Sequence, residues 1–424
     1  MRVIENYESE VRSYVRSFPV VFDTSKGAFL FDEQGNRYID FFAGAGTLNY
    51  GHNNDAISQA LITYIQNDGI VHGLDKATVA KKKFMEKFVA NILEPRNLEY
   101  KIQFSGPTGT NAVETALKLA RMVKQRSNVI AFTNAFHGLT SGSMAVTGNS
   151  YYRDEAFINR ANVSFMPFDG YFGPEVDTAE YLRKMLSDKS SGVDIPAAII
   201  LETIQAEGGI NVASPRWLKK IEQICREFDI LLIVDDIQVG NGRTGHFFSF
   251  EESGITPDII TLSKSIGGGL PLAMVLMKPE LDQWKPGEHT GTFRGNNLAF
   301  VASTEALSYW ENNELSDAVF YKEKIIRKTL QQIADAHPDL GMEVKGRGMI
   351  WGLKIPELGF AGEVSKACFG NGLVIELAGA DDDVVKFLPP LVIDEETLRE
   401  GLAIVETIVS DLVAQKKAML GAAL

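Results

Sequence analysis

A single lysine interrupts the apolar, glycine-rich run TLSKSIGGGLPLA (261–273), at the end of a stretch that reads as a β-strand. Burying its ammonium requires a partner, access to water or loss of the proton, so something around Lys264 must compensate for it. A second stretch, LLIVDDIQVG (231–240), sets Asp235 and Asp236 at the carboxyl end of an apolar strand, with Gln238 just beyond. A buried carboxylate also needs a cation or a hydrogen-bond donor, and a protonated ring nitrogen would be one.

Two further stretches carry binding chemistry. In SGPTGTNAVETALKLAR (105–121) small residues lead directly into a helix, with Asn111 and Glu114 spaced as an N-cap and its reciprocal acid. The amides of Gly109 and Thr110, with the Thr110 hydroxyl, would form an anion cradle at that helix start. In AFHGLT (135–140) Phe136 offers a flat face for stacking on a heteroaromatic ring, beside His137. The six histidines show no metal-ligand spacing, so no metal site is expected. An anion cradle, an aromatic face, a carboxylate for a ring nitrogen and an amine for an aldehyde are what pyridoxal 5′-phosphate (PLP) requires. Lys264 would lose its charge by forming a Schiff base, and the glycines after it let the backbone bend beside the cofactor. A competing motif, GNGRTG (240–245), matches G-x-G-x-x-G, but its glycines begin several residues after the strand and HFFSFEESG does not continue as a helix. A dinucleotide site is therefore not expected.

These groups need a scaffold that brings strand ends together. The strands at 99–104, 128–132, 196–203, 230–236, 258–262 and 272–277 alternate with helices such as 111–126 and 215–228, which predicts an α/β fold with a mostly parallel sheet covered on both faces. Sites in such sheets form at the carboxyl ends of the strands. From residue 312 the pattern becomes α+β. We expect an N-terminal segment (1–53) packing with the small domain, a large cofactor domain (54–311) and a smaller C-terminal α+β domain (312–424). The 424 residues are 45% hydrophobic and 23% charged, ordinary for a globular chain. A net charge of -13 argues against nucleic acid and anionic membranes as partners. With two cysteines, Cys225 and Cys368, and no apolar leader in MRVIENYESEVRSYVRSF, a cytoplasmic location is expected.

Across nearly its whole length the sequence resembles the fold-type I, class-III (ω-amino) aminotransferases. The resemblance rests on DDIQVGNGRTG (235–245), SKSIGGG (263–269), TFRGN (292–296) and ETIQAEGG (202–209), in the order family members carry them. It implies that Lys264 is the Schiff-base lysine and proton shuttle, and that Asp235 keeps the pyridine nitrogen protonated. It further implies that Gln238 contacts the ring hydroxyl, Phe136 stacks on the ring, and Gly109 and Thr110 bind the phosphate. Glu207 is similar to the family's gating glutamate, and Thr292 to a phosphate ligand from the neighbouring subunit. That last role implies a homodimer with shared active sites, or a dimer of dimers. AGAGTLNYGHNN (43–54), DGIVHGLD (68–75), GPTGTNAVE (106–114), MPFDGYFG (166–173) and KPGEHTGTFRGNN (285–297) resemble the branch serving ectoine biosynthesis. That branch acts on a short diamino acid and its semialdehyde, with glutamate and 2-oxoglutarate as the other pair, in a ping-pong reaction. Two positions depart from the common pattern. Lys386 stands before FLPP where many members have arginine, and Arg294 stands where many have glycine. Both are candidate cations for the glutamate carboxylate, although a lysine lacks the bidentate fork of arginine. The same motifs leave open another ω-amine substrate (γ-aminobutyrate, ornithine or a polyamine) or a PLP-binding regulator without turnover.

Overall fold

A computed structural model of the chain describes residues 1–153 and 161–422. Near the N-terminus, β1 (Phe22–Lys26), β2 (Phe29–Asp32) and β3 (Arg37–Asp40) pair antiparallel. The central part follows with β4 (Lys101–Phe104), β5 (Val129–Phe132), β6 (Val163–Met166) and β7 (Ala198–Leu201). A short hairpin, β8 (Ile204–Gln205) with β9 (Asn211–Val212), precedes β10 (Leu231–Asp235), β11 (Ile259–Leu262) and β12 (Met274–Met277). Seven of these strands form one sheet in the order β4-β12-β11-β10-β7-β5-β6. The pairings β6-β5-β7-β10-β11 are parallel, and β12 runs antiparallel to both of its neighbours.

Every residue of β5, β7, β10, β11 and β12 is buried, as a sheet sandwiched between helices requires. Alternation along each strand splits the core in two. Phe132, Ile199, Leu232 and Val234 pack with Trp217, Leu218 and Ile221 of the helix Pro215–Glu227. Ala131, Ile200, Ile233 and Ile259 face Val113, Ala116 and Leu117 of the helix Gly109–Lys124 on the other side. Each fully buried aliphatic side chain of this kind contributes about 1.5–3 kcal/mol, so the sheet is the stiff platform on which strand ends are held.

The start of the helix Gly109–Lys124 differs from expectation. Thr108 is its N-cap, with its hydroxyl accepting from the amide of Asn111, so Asn111 lies inside the helix. Glu114 instead accepts from the Gly142 amide at 2.7 Å and the Thr140 hydroxyl at 2.7 Å, satisfying the start of the short helix Ser141–Ala145. The cap lies three residues earlier than expected, so Gly109 and Thr110 occupy the first helical turn.

In the C-terminal part, β13 (Glu343–Arg347), β14 (Ile350–Lys354), β16 (Glu376–Ala378) and β17 (Val384–Phe387) form a second antiparallel sheet. The run GLVIEL (372–377) is divided between two sheets: β15 (Leu373–Val374) pairs parallel with β3, whereas β16 pairs with β17. The first and last parts of the chain therefore share a sheet. The helices Glu314–Ala336 and Glu395–Ala422 flank this region. Among the described residues no helix is long and apolar enough to cross a membrane.

The GNGRTG loop turns its side chains inward. Arg243 is 0% exposed and donates to the carbonyls of Met349, at 3.0 Å, and Pro389, and to the side-chain oxygen of Asn49. Gly245 has φ 93°, and a Cβ there would lie 2.3 Å from the ring of Phe320, so this glycine serves packing. The loop thus clamps three distant segments. Replacing Arg243 by alanine leaves buried carbonyls without donors, and we expect a loss of at least about 3 kcal/mol, read as a lowered denaturation midpoint.

Candidate active site

Strands β10 and β11 are adjacent and parallel, with Asp235 beside Thr261 in register. Asp235 ends the first strand and Lys264 follows the second, so both groups emerge at the same end of the sheet. Asp235 is held from three sides: Ile237 N–H donates to Oδ1 at 3.2 Å, the Thr261 hydroxyl donates to it at 3.1 Å, and His137 Nδ1 lies 2.7 Å from Oδ2. Asp235 and His137 are both buried. The pleat sends Asp236 the other way, where it accepts from the Ser249 amide at 3.1 Å and from its hydroxyl. Burial pushes that second carboxyl up to about 7. Of the two aspartates, only Asp235 faces Lys264's side of the sheet.

Lys264 has φ 53°, a left-handed conformation that L-residues other than glycine adopt at a penalty of about 1–2 kcal/mol. The strain directs its side chain into the space between the strand ends and the C-terminal sheet. Desolvation lowers its amine to about 8; the Glu207 carboxylate opposes that shift and the Lys386 ammonium adds to it.

Lys386 on β17 is 0% exposed and sits between two acids. Its Nζ lies 2.7 Å from Glu207 Oε1 and 2.8 Å from Glu376 Oε1, Glu376 being its partner in register on β16. Gln238 Nε2 donates to the same Glu207 oxygen at 3.0 Å and to the carbonyl of Ala45 at 2.9 Å. Burial alone would raise the Glu207 carboxyl, but the charges of Lys386 and Lys264 and the hydrogen bonds hold it well below the usual range. Burial pushes Glu376 up to about 7 against the pull of Lys386. Lys386, expected as a candidate cation for a glutamate carboxylate, is shared here by two carboxylates of the chain itself.

The remaining expected groups divide into those near this cluster and those apart from it. Gly109 and Thr110 open the helix below it, and the Thr110 hydroxyl lies 2.6 Å from that of Thr140. Gly138 (φ 121°) brings the loop after β5 onto this helix start; a Cβ there would lie 2.6 Å from Thr110 Oγ1. Phe136 packs edge-on against Tyr152, ring centres 5.6 Å apart, and its amide donates at 3.0 Å to Glu202. Burial and the nearby Asp235 raise the Glu202 carboxyl well above its usual range. Thr292 and Arg294 are not in the cluster. The Thr292 carbonyl lies 3.0 Å from His72 Nε2, and Arg294 pairs with Asp75 and donates to the His289 carbonyl at 3.3 Å, beside a separate cavity.

A cleft of ≈ 590 Å³ is lined by Glu207, Gly208, Tyr14, Phe136, Tyr152 and Glu376. Tyr14, from the short helix Tyr14–Ser17, donates to Glu376 Oε2 at 3.4 Å. Sequence reasoning missed Tyr14, Glu202 and Glu376. Only Glu376 had a signal: it faces Lys386 across the hairpin that GADDD closes.

The residues present fit PLP. Gln238 Oε1 is buried without a hydrogen-bond partner, the Asp235 carboxylate has no ammonium or guanidinium partner among the described residues, and the helix start at Gly109 presents unpaired amides. Among the described residues no group of three His, Cys, Asp or Glu is placed to hold a metal. At pH 8 about half of Lys264 is neutral in the cofactor-free chain, against well under ~1% of an ordinary lysine. An amine acylating reagent should therefore modify Lys264 preferentially, with peptide mapping as the readout. In Glu207→Gln the midpoint of that reactivity should move below 8, because the charge that raises it is gone.

Comparison with known proteins agrees with this geometry. The class-III aminotransferase family matches residues 11–409. A diaminobutyrate--2-oxoglutarate transaminase of Wolinella succinogenes is 70% identical over 421 residues, 99% of this chain and 99% of that protein. One from Bordetella parapertussis is 56% identical, over 98% of this chain and 97% of its own. The ornithine aminotransferase of Toxoplasma gondii, solved with partial occupancy of PLP at its active site, superposes with a TM-score of 0.83 at 26% identity, covering 98% of this chain and 95% of that one. A desolvated lysine and an anchored aspartate at neighbouring strand ends, on a chain matched almost end to end, make this protein a member of the PLP-dependent class-III aminotransferases.

Proposed function

We propose that this enzyme transfers the amino group of L-glutamate to L-aspartate 4-semialdehyde, giving 2-oxoglutarate and L-2,4-diaminobutyrate, with the two substrates taken in turn by one cleft. The observation that carries this reading is the 70% identity, over 99% of both chains, to a transaminase of that name, on a chain that holds Lys264 and Asp235 at one sheet end.

Bound PLP supplies an aldehyde that amines condense with and a ring that withdraws electrons from them. The residues of the chain hold it and move the protons. Asp235, fixed by Thr261, Ile237 and His137, would keep a proton on the ring nitrogen. Gln238 Oε1 would accept from the ring hydroxyl, Phe136 would cover the ring face, and Gly109 and Thr110 would bind the phosphate at the helix start, where amides and dipole favour an anion. Lys264, once displaced by the substrate's amine, would carry a proton from and to the substrate carbon bearing nitrogen. An amine poised near 8 is close to the optimum for such a shuttle at neutral pH. Glu207, pinned by Lys386 and Gln238, would form the wall against which each substrate is seated.

A second copy of the chain would complete the site with Thr292. The loop 285–295 carries an exposed Phe293, and Ile62, Ile65, Ile70, Val71 and Val79 are exposed as well, a surface suited to burial in a homodimer. The two cysteines are free and buried, which fits a cytoplasmic enzyme.

Steady-state rates with 2-oxoglutarate as acceptor test the assignment. Diaminobutyrate should be turned over faster than ornithine, γ-aminobutyrate or polyamines, and a preference for any of those would replace it. Lys264→Ala should lower turnover at least ~10³-fold, since it removes the covalent anchor and the proton shuttle together.

A further inference from the structure

The cleft at Glu207 and Glu376 has an electrostatic character that PLP does not explain. Among the described residues its lining carries three carboxylates, Glu207, Glu376 and Asp382, and no cationic side chain. The ammonium that contacts these acids, Lys386, is fully buried and shared between Glu207 and Glu376, so neither carboxylate has a cation of its own. Tyr14 donates a neutral hydroxyl to Glu376, which orients the carboxylate without supplying a cation.

The substrates differ in what they bring. Glutamate presents a second carboxylate beyond its reacting amine, whereas a diamino acid presents a second ammonium. We propose that Glu376 is a specificity-determining residue that receives the non-reacting ammonium of the diamino acid. With that ammonium in place, each of the two carboxylates has a cation of its own: Lys386 for Glu207, the substrate for Glu376. Because Glu376 is 6% exposed, this pairing forms away from water, where a charge-assisted hydrogen bond discriminates strongly against a substrate lacking the group. A monoamine of the same length leaves Glu376 facing an apolar methylene. The inference rests on reading the cleft as the seat of an ω-transamination.

L-2,4-Diaminobutyrate and 4-aminobutyrate differ only in the α-ammonium, so their kcat/KM ratio on the holoenzyme reads the interaction directly. The wild type should favour diaminobutyrate by more than ~10-fold. Glu376→Gln should reduce that ratio about 10- to 100-fold, the range of one charge-assisted hydrogen bond, chiefly through a higher KM for diaminobutyrate. An equal fall for both amines would mean that Glu376 acts only by steadying Lys386, and would overturn the proposal. So would a wild-type enzyme that uses the two amines equally well, a measurement that needs no variant. Ornithine and 5-aminopentanoate differ by the same ammonium and separate the two readings. If ornithine proves the better substrate, the assignment of diaminobutyrate fails, and the role of Glu376 stands or falls on the ratio for that second pair.

Discussion

The exclusion of water from one amine governs the whole arrangement. Lys264 projects from a sheet whose neighbouring strands are buried along their full length, and an ammonium there loses hydration that no single neighbour restores. Among the described residues no salt bridge neutralises it. Desolvation leaves Lys264 near its point of deprotonation, while Asp235 is engaged by His137 and Glu207 by Lys386. A fully paired lysine would keep its proton and so could not react as an amine, and an isolated ammonium would be costly to bury.

That choice forces the rest of the charge layout. Glu207 close to Lys264 would hold its proton on, so its charge is drawn off by Lys386 and Gln238. Lys386 in turn is a buried cation that needs more than one acceptor, and Glu376 on the paired strand supplies it. The chain of compensation runs from β11 through β8's loop to β17 and β16. A change at Glu376 is thus felt at the amine both directly through its charge and through Lys386 and Glu207, although Glu376 lies on a different sheet from β11.

Much of this was legible in the residues because strand ends announce themselves. Apolar runs that stop at Asp235, Lys264 and Phe136 mark where a parallel sheet exposes its chemistry, and the structure brings these positions together. What stayed hidden depends on pairing across long sequence separations. Tyr14 reaches Glu376 across more than three hundred residues, and nothing local to SYVRSF signals that contact. The split of GLVIEL between two sheets hinges on register with β3, which periodicity cannot supply. Lys386 read as an open cation because a lone lysine on a strand carries no mark of its acids. Arg294 and Thr292 sit on a loop apart from the cluster, held by contacts to Asp75 and His72 that their local sequence does not signal. The misplaced cap at Asn111 was a shift of three residues: Thr108 is also a capping residue type, and its hydroxyl takes the Asn111 amide.

The sharing of one sheet by β3 and β15 orders events during synthesis. All seven strands of the central sheet lie between residues 101 and 277, so that layer can assemble while the ribosome is still working. The seat of Tyr14 cannot: its acidic partner is made some 360 positions later. A nascent chain therefore holds Lys264 on a finished sheet while the Tyr14–Glu376 contact, and with it one wall of the cleft, is still missing.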